Sequence, residues 1–325
     1  MNKSIRIHET GGPEVLRWEE VDVAKPAAGE VRLRQTAVGL NFIDTYHRTG
    51  LYPVGSLPTG IGMEAAGVVE ETGGNVADLQ VGDRVAYAGG SPGSYAEERT
   101  MAAALLVRLP DGVNDRQGAA LMLKGLTTQY LIRCCYPVKS GDTILIHAAA
   151  GGVGLLVCQW ARHLGATVIG TVSTPEKAEL AASHGCSHTI LYREENFVDR
   201  VRELTNGEGV PVVYDSVGRD TFDGSLDCLR PLGLMVTFGQ SSGSVAPLAI
   251  HELTSHGSLF LTRPTLATYN ATRDQLTANA AELFAVVESG AVKIEINQTY
   301  ALQDAAQAHS DLESRKTTGA TVLLP

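Results

Sequence analysis

The stretch 143–154, TILIHAAAGGVG, decides the fold. Its first four residues form a short apolar run rich in β-branched side chains, which is typical of a strand buried on both faces. From 153 to 164, apolar residues recur at three- and four-residue spacing, as they do in a helix packed on a sheet. The sequence therefore predicts a strand at 143–147, a tight glycine turn and a helix at 153–164.

The glycine turn predicts a phosphate site. A strand-to-helix turn of this kind places free backbone N–H groups and the positive end of a helix against an anion. On the pattern G-x-G-x-x-G, the three marked positions are Ala149, Gly151 and Gly154. A larger side chain at Gly151 or Gly152 would keep a diphosphate from the backbone, and Gly154 lets the helix pack closely. The glycines alone also fit an ordinary strand-to-helix corner, but a second strand at 167–172 favours dinucleotide binding.

The end of that second strand indicates which dinucleotide is bound. An NAD site usually carries an acidic residue about 20 residues past the turn. Here the strand is followed by STPEK, in which Ser173 and Lys177 are suited to a 2′-phosphate that a carboxylate would repel. Tyr192 lies where the next loop reaches the same pocket. A solvated helix position beside Glu176 is the less favoured alternative for Lys177. We therefore expect NADP as the cofactor.

Composition excludes several classes of protein. The chain has 325 residues, 44% of them hydrophobic, and a net charge of −10. This length allows two domains, and the negative charge argues against a general nucleic-acid or anionic-membrane surface. The first residues lack the pattern of a signal peptide, and no apolar run is long enough to span a bilayer. We expect a cytoplasmic protein.

The cysteines predict neither disulfides nor a cysteine-rich zinc site. Their number is odd and no C-x-x-C occurs among Cys134, Cys135, Cys158, Cys186 and Cys228. Adjacent Cys134 and Cys135 have poor geometry for a structural bridge. Buried, reduced thiols are the expectation, and a reactive thiol is the less favoured alternative.

Two architectures follow one another along the chain. Short apolar runs separated by Gly, Pro and Asp turns predict a β-rich first part. Strands and helices then alternate from 143 to 238, which predicts a parallel, doubly wound sheet. The closing pattern at 319–324 is again a strand. We expect a β-rich domain at 1–123 and 266–325, a nucleotide-binding domain at 124–265, and ligands in the cleft between them.

Several motifs together resemble a known family. The sequence is similar to the zinc-free quinone oxidoreductases, the ζ-crystallin-like branch of the medium-chain dehydrogenase/reductases, over essentially its whole length. The motifs that carry the resemblance are GPEVL at 12–16, NFID at 41–44 with Tyr46, GLYP at 50–53, Gly62 with Glu64, KGLT at 124–127, AAGGVG at 149–154, YDSVG at 214–218 and TRP at 262–264. The resemblance implies an α/β protein with a GroES-like catalytic domain, a Rossmann cofactor domain and a homodimer joined through the cofactor domains.

The metal question rests on two positions. Zinc-bearing relatives place a Cys where this chain has Asn41, and a His where it has Met63 beside Glu64. An amide and a thioether are poor zinc ligands beside thiolate and imidazole. No cysteine precedes Cys134, so the four-cysteine structural zinc lobe is also missing. We expect no metal.

The resemblance implies site residues in both domains. Asn41, Tyr46 and Tyr52 are the catalytic candidates, because NADPH supplies the hydride and the tyrosine phenols are suited to donate to a quinone oxygen or stack on it. The two tyrosines equally suit half-buried loop positions, and Arg315 a solvated turn. The cofactor-binding candidates are Asn41, Thr127, Gly151, Gly152, Val153, Ser173, Lys177, Tyr192, Ser216, Phe238, Gly239, Ser241, Phe260, Thr262, Arg263 and Arg315.

Three functions remain open from the sequence. An NADPH-dependent quinone reductase is favoured. An enone or 2-enoyl-thioester reductase uses the same fold and cofactor, and the residues named do not separate the two. A ζ-crystallin-like protein that binds AU-rich RNA or serves as a lens structural protein is the third, disfavoured by the acidic charge and the lack of a basic-aromatic stripe.

Overall fold

The structure, a computed structural model, describes residues 2–325 in two compact units. The first unit comprises the described residues up to Leu126 together with Asn270–Glu288 and Ile294–Pro325. The second comprises Thr127–Tyr269 and Ser289–Lys293. The boundaries expected after 123 and 265 lie three and four residues before these divisions. The segment 289–293 groups with the second unit, where the Gln159 amide exchanges hydrogen bonds of 3.0 and 2.8 Å with the Lys293 backbone.

The strands are β1 (Asn2–Ile7), β2 (Arg17–Val21), β3 (Glu30–Leu40), β4 (Thr59–Gly60), β5 (Glu64–Thr72), β6 (Arg84–Ala88), β7 (Glu98–Ala102), β8 (Val107–Arg108), β9 (Thr143–Ile146), β10 (Thr167–Val172), β11 (His188–Leu191), β12 (Val210–Asp215), β13 (Leu229–Thr237), β14 (Phe260–Thr262), β15 (Ile296–Ala301) and β16 (Ala320–Leu324). The helices are α1 (Phe42–Thr49), α2 (Asp115–Gln129), α3 (Gly152–His163), α4 (Pro175–Ser183), α5 (Phe197–Leu204), α6 (Phe222–Cys228), α7 (His251–Ser255), α8 (Leu266–Tyr269), α9 (Arg273–Glu288) and α10 (Ala305–Glu313). Short 3₁₀ helices lie at Pro13–Val15, Ala103–Leu105 and Leu302–Asp304, and a π-helical turn at Tyr130–Cys135.

The second unit is built on a parallel sheet. Its strand order is β11-β10-β9-β12-β13-β14, and every neighbouring pair is parallel. Numbered from β9, this is the order 3-2-1-4-5-6 of a doubly wound dinucleotide-binding fold. The strand order reverses between β9 and β12, and such folds bind ligands at that point, outside the carboxyl ends of the strands. The predicted doubly wound sheet is confirmed.

The first unit is a β-rich fold with one long mixed sheet. The order is β15-β16-β3-β5-β6-β8, with β7 also paired to β3, and a smaller sheet has the order β2-β1-β4. The last strand, β16, runs antiparallel to β3 with Leu323 opposite Val38. The described strands from both ends of the chain therefore share one sheet, whose core includes Leu33, Val69 and Tyr95.

One helix beside the candidate residues was missed. The sequence analysis gave loop positions as one interpretation of Tyr46 and Tyr52, but residues 42–49 form α1, so that interpretation is wrong for Tyr46. The helix begins where the Asp44 carboxylate accepts the Asn41 N–H at 2.8 Å, which satisfies a backbone donor at the helix start. It ends at Gly50, whose φ of 79° lies in the left-handed region.

Candidate cofactor and acceptor sites

The turn after β9 exposes unsatisfied backbone N–H groups. Ala148 has a left-handed φ of 56°, and its carbonyl accepts the Gly151 N–H at 2.9 Å. Gly151 then precedes α3, and the Leu155 N–H donates to the Gly151 carbonyl at 2.9 Å. The N–H groups between these two residues have no acceptor inside the helix, because an α-helix leaves its first donors unpaired. Together with the helix dipole they are suited to bind an anion.

The two outer glycines of this turn have different surroundings. A Cβ on Gly154 would lie 2.3 Å from the Ala148 carbonyl oxygen and 2.6 Å from that of Ala149, so glycine is required for the helix to pack on the turn. A Cβ on Gly151 would lie 3.2 Å from the Ala148 oxygen and meet nothing else within 4 Å among the described atoms. That side of the turn is open to a ligand, so the residues present fit a diphosphate.

Buried polar side chains tie the strand ends around this turn. The His147 ring bonds Thr171 Oγ1 and Ser225 Oγ, each at 2.9 Å. The buried Asp215 carboxylate accepts from Ser225 Oγ at 3.3 Å and from the Gly218 N–H at 3.0 Å. Burial lowers the pKa of His147, which keeps the ring neutral. The carboxyl ends of β9, β10 and β12 are thus held together.

The residues predicted for the 2′-phosphate share one edge of the sheet. Ser173 directly follows β10, and Lys177 lies in the first turn of α4, where its N–H reaches the Thr174 hydroxyl at 3.4 Å. The Tyr192 N–H donates to the Val172 carbonyl at 3.2 Å, which attaches the loop after β11 to the end of β10. The structure brings Ser173, Lys177 and Tyr192 to neighbouring strand ends.

A second group of predicted residues follows β12 and β13. The Ser241 N–H donates to the Ser216 carbonyl at 3.1 Å, and a Cβ on Gly239 would lie 2.7 Å from that same oxygen. Phe238 directly follows β13. The Arg263 guanidinium donates to the Gly239 carbonyl at 3.4 Å. These residues therefore form one connected edge.

The other cofactor candidates lie elsewhere. Phe260 and Thr262 are the first and last residues of the edge strand β14, and Phe260 is 61% exposed. Thr127 is buried, and its side chain is hydrogen-bonded to Tyr130. Arg315 belongs to the first unit and lies in the turn after α10, with a left-handed φ of 58°.

Asn41 belongs to a buried polar centre of the first unit. The side chain is 5% exposed, and its Nδ2 donates to Glu64 Oε2 at 2.8 Å. Lys124 Nζ lies 3.3 Å from the same oxygen, and the Leu123 N–H donates to Glu64 Oε1 at 2.7 Å. A carboxylate only accepts hydrogen bonds at neutral pH, so Glu64 fixes which end of the Asn41 amide faces it.

The two candidate tyrosines pack on each other. The rings of Tyr46 and Tyr52 lie 5.1 Å apart in an edge-to-face arrangement, and the Tyr52 N–H donates to the Tyr46 carbonyl at 3.0 Å. Tyr46 is buried in α1, whereas Tyr52 is half-buried beyond the end of the helix. The sequence analysis identified this pair but missed Asp44, which receives the Asn41 N–H. Its signal was the spacing of Asn41 and Asp44, a helix-capping pattern.

Residues 2–325 contain neither a cluster of metal ligands nor a helix able to span a bilayer. No group of three or more His, Cys, Asp or Glu side chains in this part of the chain is arranged to hold a metal ion. None of its helices combines the length and apolarity needed to cross a bilayer.

Comparison with known proteins gives consistent relatives. Residues 27–111 match the alcohol dehydrogenase GroES-like domain, and residues 152–275 match the zinc-binding dehydrogenase family. A Pseudomonas aeruginosa protein named quinone oxidoreductase is 55% identical over all of both chains. A Burkholderia protein named 2-haloacrylate reductase is 49% identical over 98% of each chain. The crystal structure of Escherichia coli quinone oxidoreductase complexed with NADPH superposes with a TM-score of 0.98 at 49% identity, over 99% of this chain and 100% of that one.

Proposed function

Since the chain belongs to the quinone oxidoreductase family of the medium-chain dehydrogenase/reductases, we propose that it is an NADPH-dependent quinone reductase. The full-length similarity to quinone oxidoreductases carries this proposal. The open, glycine-lined turn before α3 supports it, because the turn fits a diphosphate. NADPH, when bound, supplies the hydride.

The second unit provides the residues for cofactor binding. The unsatisfied N–H groups of Gly152 and Val153 bind the diphosphate oxygens. Ser173 and Lys177 bind the 2′-phosphate, and the sequence between them offers only one carboxylate, Glu176, on the exposed first turn of α4. Tyr192 covers the adenosine end of the same edge.

The first unit provides the residues for the acceptor. Asn41 has its Nδ2 committed to Glu64, so its Oδ1 is the atom that orients a partner with an N–H or O–H group. Tyr46 and Tyr52 offer rings for stacking and phenols for donation to a quinone oxygen. No metal is needed in this scheme, because the amide of Asn41 and the thioether of Met63 stand where zinc-bearing relatives carry ligands.

The proposed assembly is a homodimer in the cytoplasm. The edge strand β14 supports the dimer, since it ends the parallel sheet and exposes Phe260 and Leu261 by 61% and 38%. None of the five cysteines of residues 2–325 forms a disulfide, which is consistent with a reducing compartment. Sedimentation equilibrium giving the mass of a single chain would overturn the dimer.

A second candidate activity is reduction of a conjugated carbon–carbon double bond. The similarity to a 2-haloacrylate reductase favours it, since such a substrate and a quinone are both conjugated acceptors. Steady-state oxidation of NADPH with quinones, enones and 2-haloacrylates separates the two. We expect kcat/KM for the best quinone to exceed that of every other acceptor by at least about tenfold, or about 1.4 kcal/mol. Turnover confined to the alkenes would replace the first proposal with the second, and loss of turnover on zinc chelation would refute the metal-free scheme.

A further inference from the structure

A series of buried hydrogen bonds starts at Asp44, beside the buried polar centre at Asn41, and crosses the first unit. The Tyr95 hydroxyl lies 3.0 Å from Asp44 Oδ2, and His309 Nε2 lies 3.1 Å from that hydroxyl. His309 Nδ1 lies 3.0 Å from Arg48 Nη1, and Arg48 Nη2 lies 2.7 Å from Glu313 Oε1. The first four residues are buried, whereas Glu313 is at the surface. The series therefore connects α1 and α10 through the core.

The direction of every bond in this series is fixed. An arginine only donates, so His309 Nδ1 accepts from Arg48 and the ring proton lies on Nε2. His309 Nε2–H then donates to the Tyr95 oxygen, which leaves the Tyr95 O–H to donate to Asp44. Burial, with the charge of Arg48, lowers the pKa of His309 to about 3, so the ring stays neutral. Each hydrogen bond between Arg48 and the Asp44 carboxylate therefore donates in the direction of Asp44, whereas Arg48 also donates outward to Glu313.

Asp44 is held on one oxygen only. Its Oδ2 accepts both the Asn41 N–H and the Tyr95 O–H, whereas its Oδ1 is buried without a hydrogen-bond partner among residues 2–325. Burial raises the pKa of Asp44 from 3.8 to about 7, against the opposing effects of its two hydrogen bonds. The two members of the Lys124–Glu64 ion pair have opposite effects on Asp44: Lys124 lowers the pKa of Asp44, and Glu64 raises it.

We propose that Asp44 is a positioning residue of the acceptor site, whose ionised carboxylate fixes Asn41 at the start of α1. This inference rests on the proposed function, in which Asn41 orients the reacting groups. When Asp44 is protonated, Oδ2 becomes the carbonyl oxygen of a neutral acid, and its bond to the Asn41 N–H loses its charge assistance. Asn41 is then held less firmly, although the fold around it is unchanged. Binding at the acceptor site therefore weakens as Asp44 takes up a proton.

The first experiment follows the carboxyl group itself. Protein labelled with ¹³C-aspartate is titrated by NMR from pH 5 to 9, and Asp44→Asn identifies the Asp44 resonance. We expect a midpoint near 7 that moves up by about half a pH unit or more in Tyr95→Phe, because that variant deletes a bond to the ionised form. Tyr87→Phe is the matched control, since the buried Tyr87 hydroxyl bonds Gln35 instead, at 2.5 Å. An Asp44 resonance that does not titrate in this range would overturn the proposal.

The second experiment measures what the proton does. KM and kcat for a quinone are measured over the same pH range at saturating NADPH. We expect KM to rise several-fold from pH 8 to 6, with a midpoint that moves upward in Tyr95→Phe and stays in place in Tyr87→Phe. A KM profile whose midpoint is the same in Tyr95→Phe as in the wild type would overturn the positioning role. If no quinone is turned over at any pH, the proposed function fails. The NADPH dissociation constant is then measured over the same pH range in the wild type, Tyr95→Phe and Tyr87→Phe. The 2′-phosphate titrates at about 6 and contributes equally in every variant.

Discussion

The two candidate sites are built in opposite ways. The turn before α3 uses backbone N–H groups within a few consecutive residues, and glycines keep side chains away from them. The centre at Asn41 uses side chains that are remote in sequence, Glu64 and Lys124, and buries an ion pair to do so. A substitution that adds a side chain is therefore expected to damage the first site, whereas a substitution that removes a charged group is expected to damage the second.

The difference has an energetic basis. A helix start presents its donors without removing any charge from water. The Asn41 centre takes both a carboxylate and an ammonium out of water, and their attraction offsets this only while both are present. Disruption of the second site is therefore expected to lower the free energy of unfolding more than disruption of the first.

The largest expected effect comes from breaking the buried ion pair. Lys124→Met leaves the fully buried Glu64 carboxylate without its cation, and we expect the free energy of unfolding to fall by about 3–5 kcal/mol. Urea unfolding measures it. The double variant Glu64→Leu/Lys124→Met should recover most of the loss, since neither charge is then buried alone. A loss below about 1 kcal/mol in the single variant, the range of a surface pair, would show that the centre is hydrated.

The next effect adds one methyl group to the other site. In Gly151→Ala the new Cβ makes one tight contact, 3.2 Å from the Ala148 carbonyl oxygen, and otherwise projects into the open side of the turn. We expect NADPH binding to weaken about 100-fold, or about 2.7 kcal/mol, with Tm nearly unchanged. Gly74→Ala is the matched control, because its Cβ meets nothing within 4 Å in the first unit. Unchanged NADPH affinity in Gly151→Ala would remove the diphosphate from this turn.

The same contrast explains what the sequence predicted. The strand, turn and helix around Gly151 are one local pattern, and their bounds agree with the structure to within a residue. The start of α1 depends on the capping of Asn41 by Asp44, and two nearby glycines and several aromatic residues favoured a loop instead. The hydrogen bonds that link Asp44 to Arg48 pass through His309 of α10, which lies 261 residues after Arg48 in the sequence. No periodicity or spacing reveals a contact of that kind.

A smaller effect sharpens the cofactor side of the comparison. Lys177 is the one cation among the residues predicted for the 2′-phosphate in the second unit, and its own N–H already belongs to the cap of α4. We expect the wild type to bind NADPH at least about tenfold better than NADH, a preference of about 1.4 kcal/mol. Lys177→Ala should erase most of this preference and leave Tm unchanged, since the side chain is only half-buried. Equal dissociation constants for the two cofactors in the wild type would contradict the assignment.

The smallest effect belongs to the half-buried tyrosine of the acceptor side. Tyr52 lies beyond the end of α1, with its ring edge-on to Tyr46 at 5.1 Å. Tyr52→Ala removes that ring without removing a helix residue, so we expect a few-fold rise in KM for the quinone while NADPH affinity and kcat stay nearly constant, the pattern of lost substrate binding. Tyr46→Phe is the companion variant, because it keeps the buried ring and deletes only the phenol. A fall in kcat of about 100-fold in Tyr46→Phe would make that phenol a general acid. We expect a far smaller fall, since a quinol anion is a stable product that takes its proton from water, and the acceptor side would then act through shape and through Asn41.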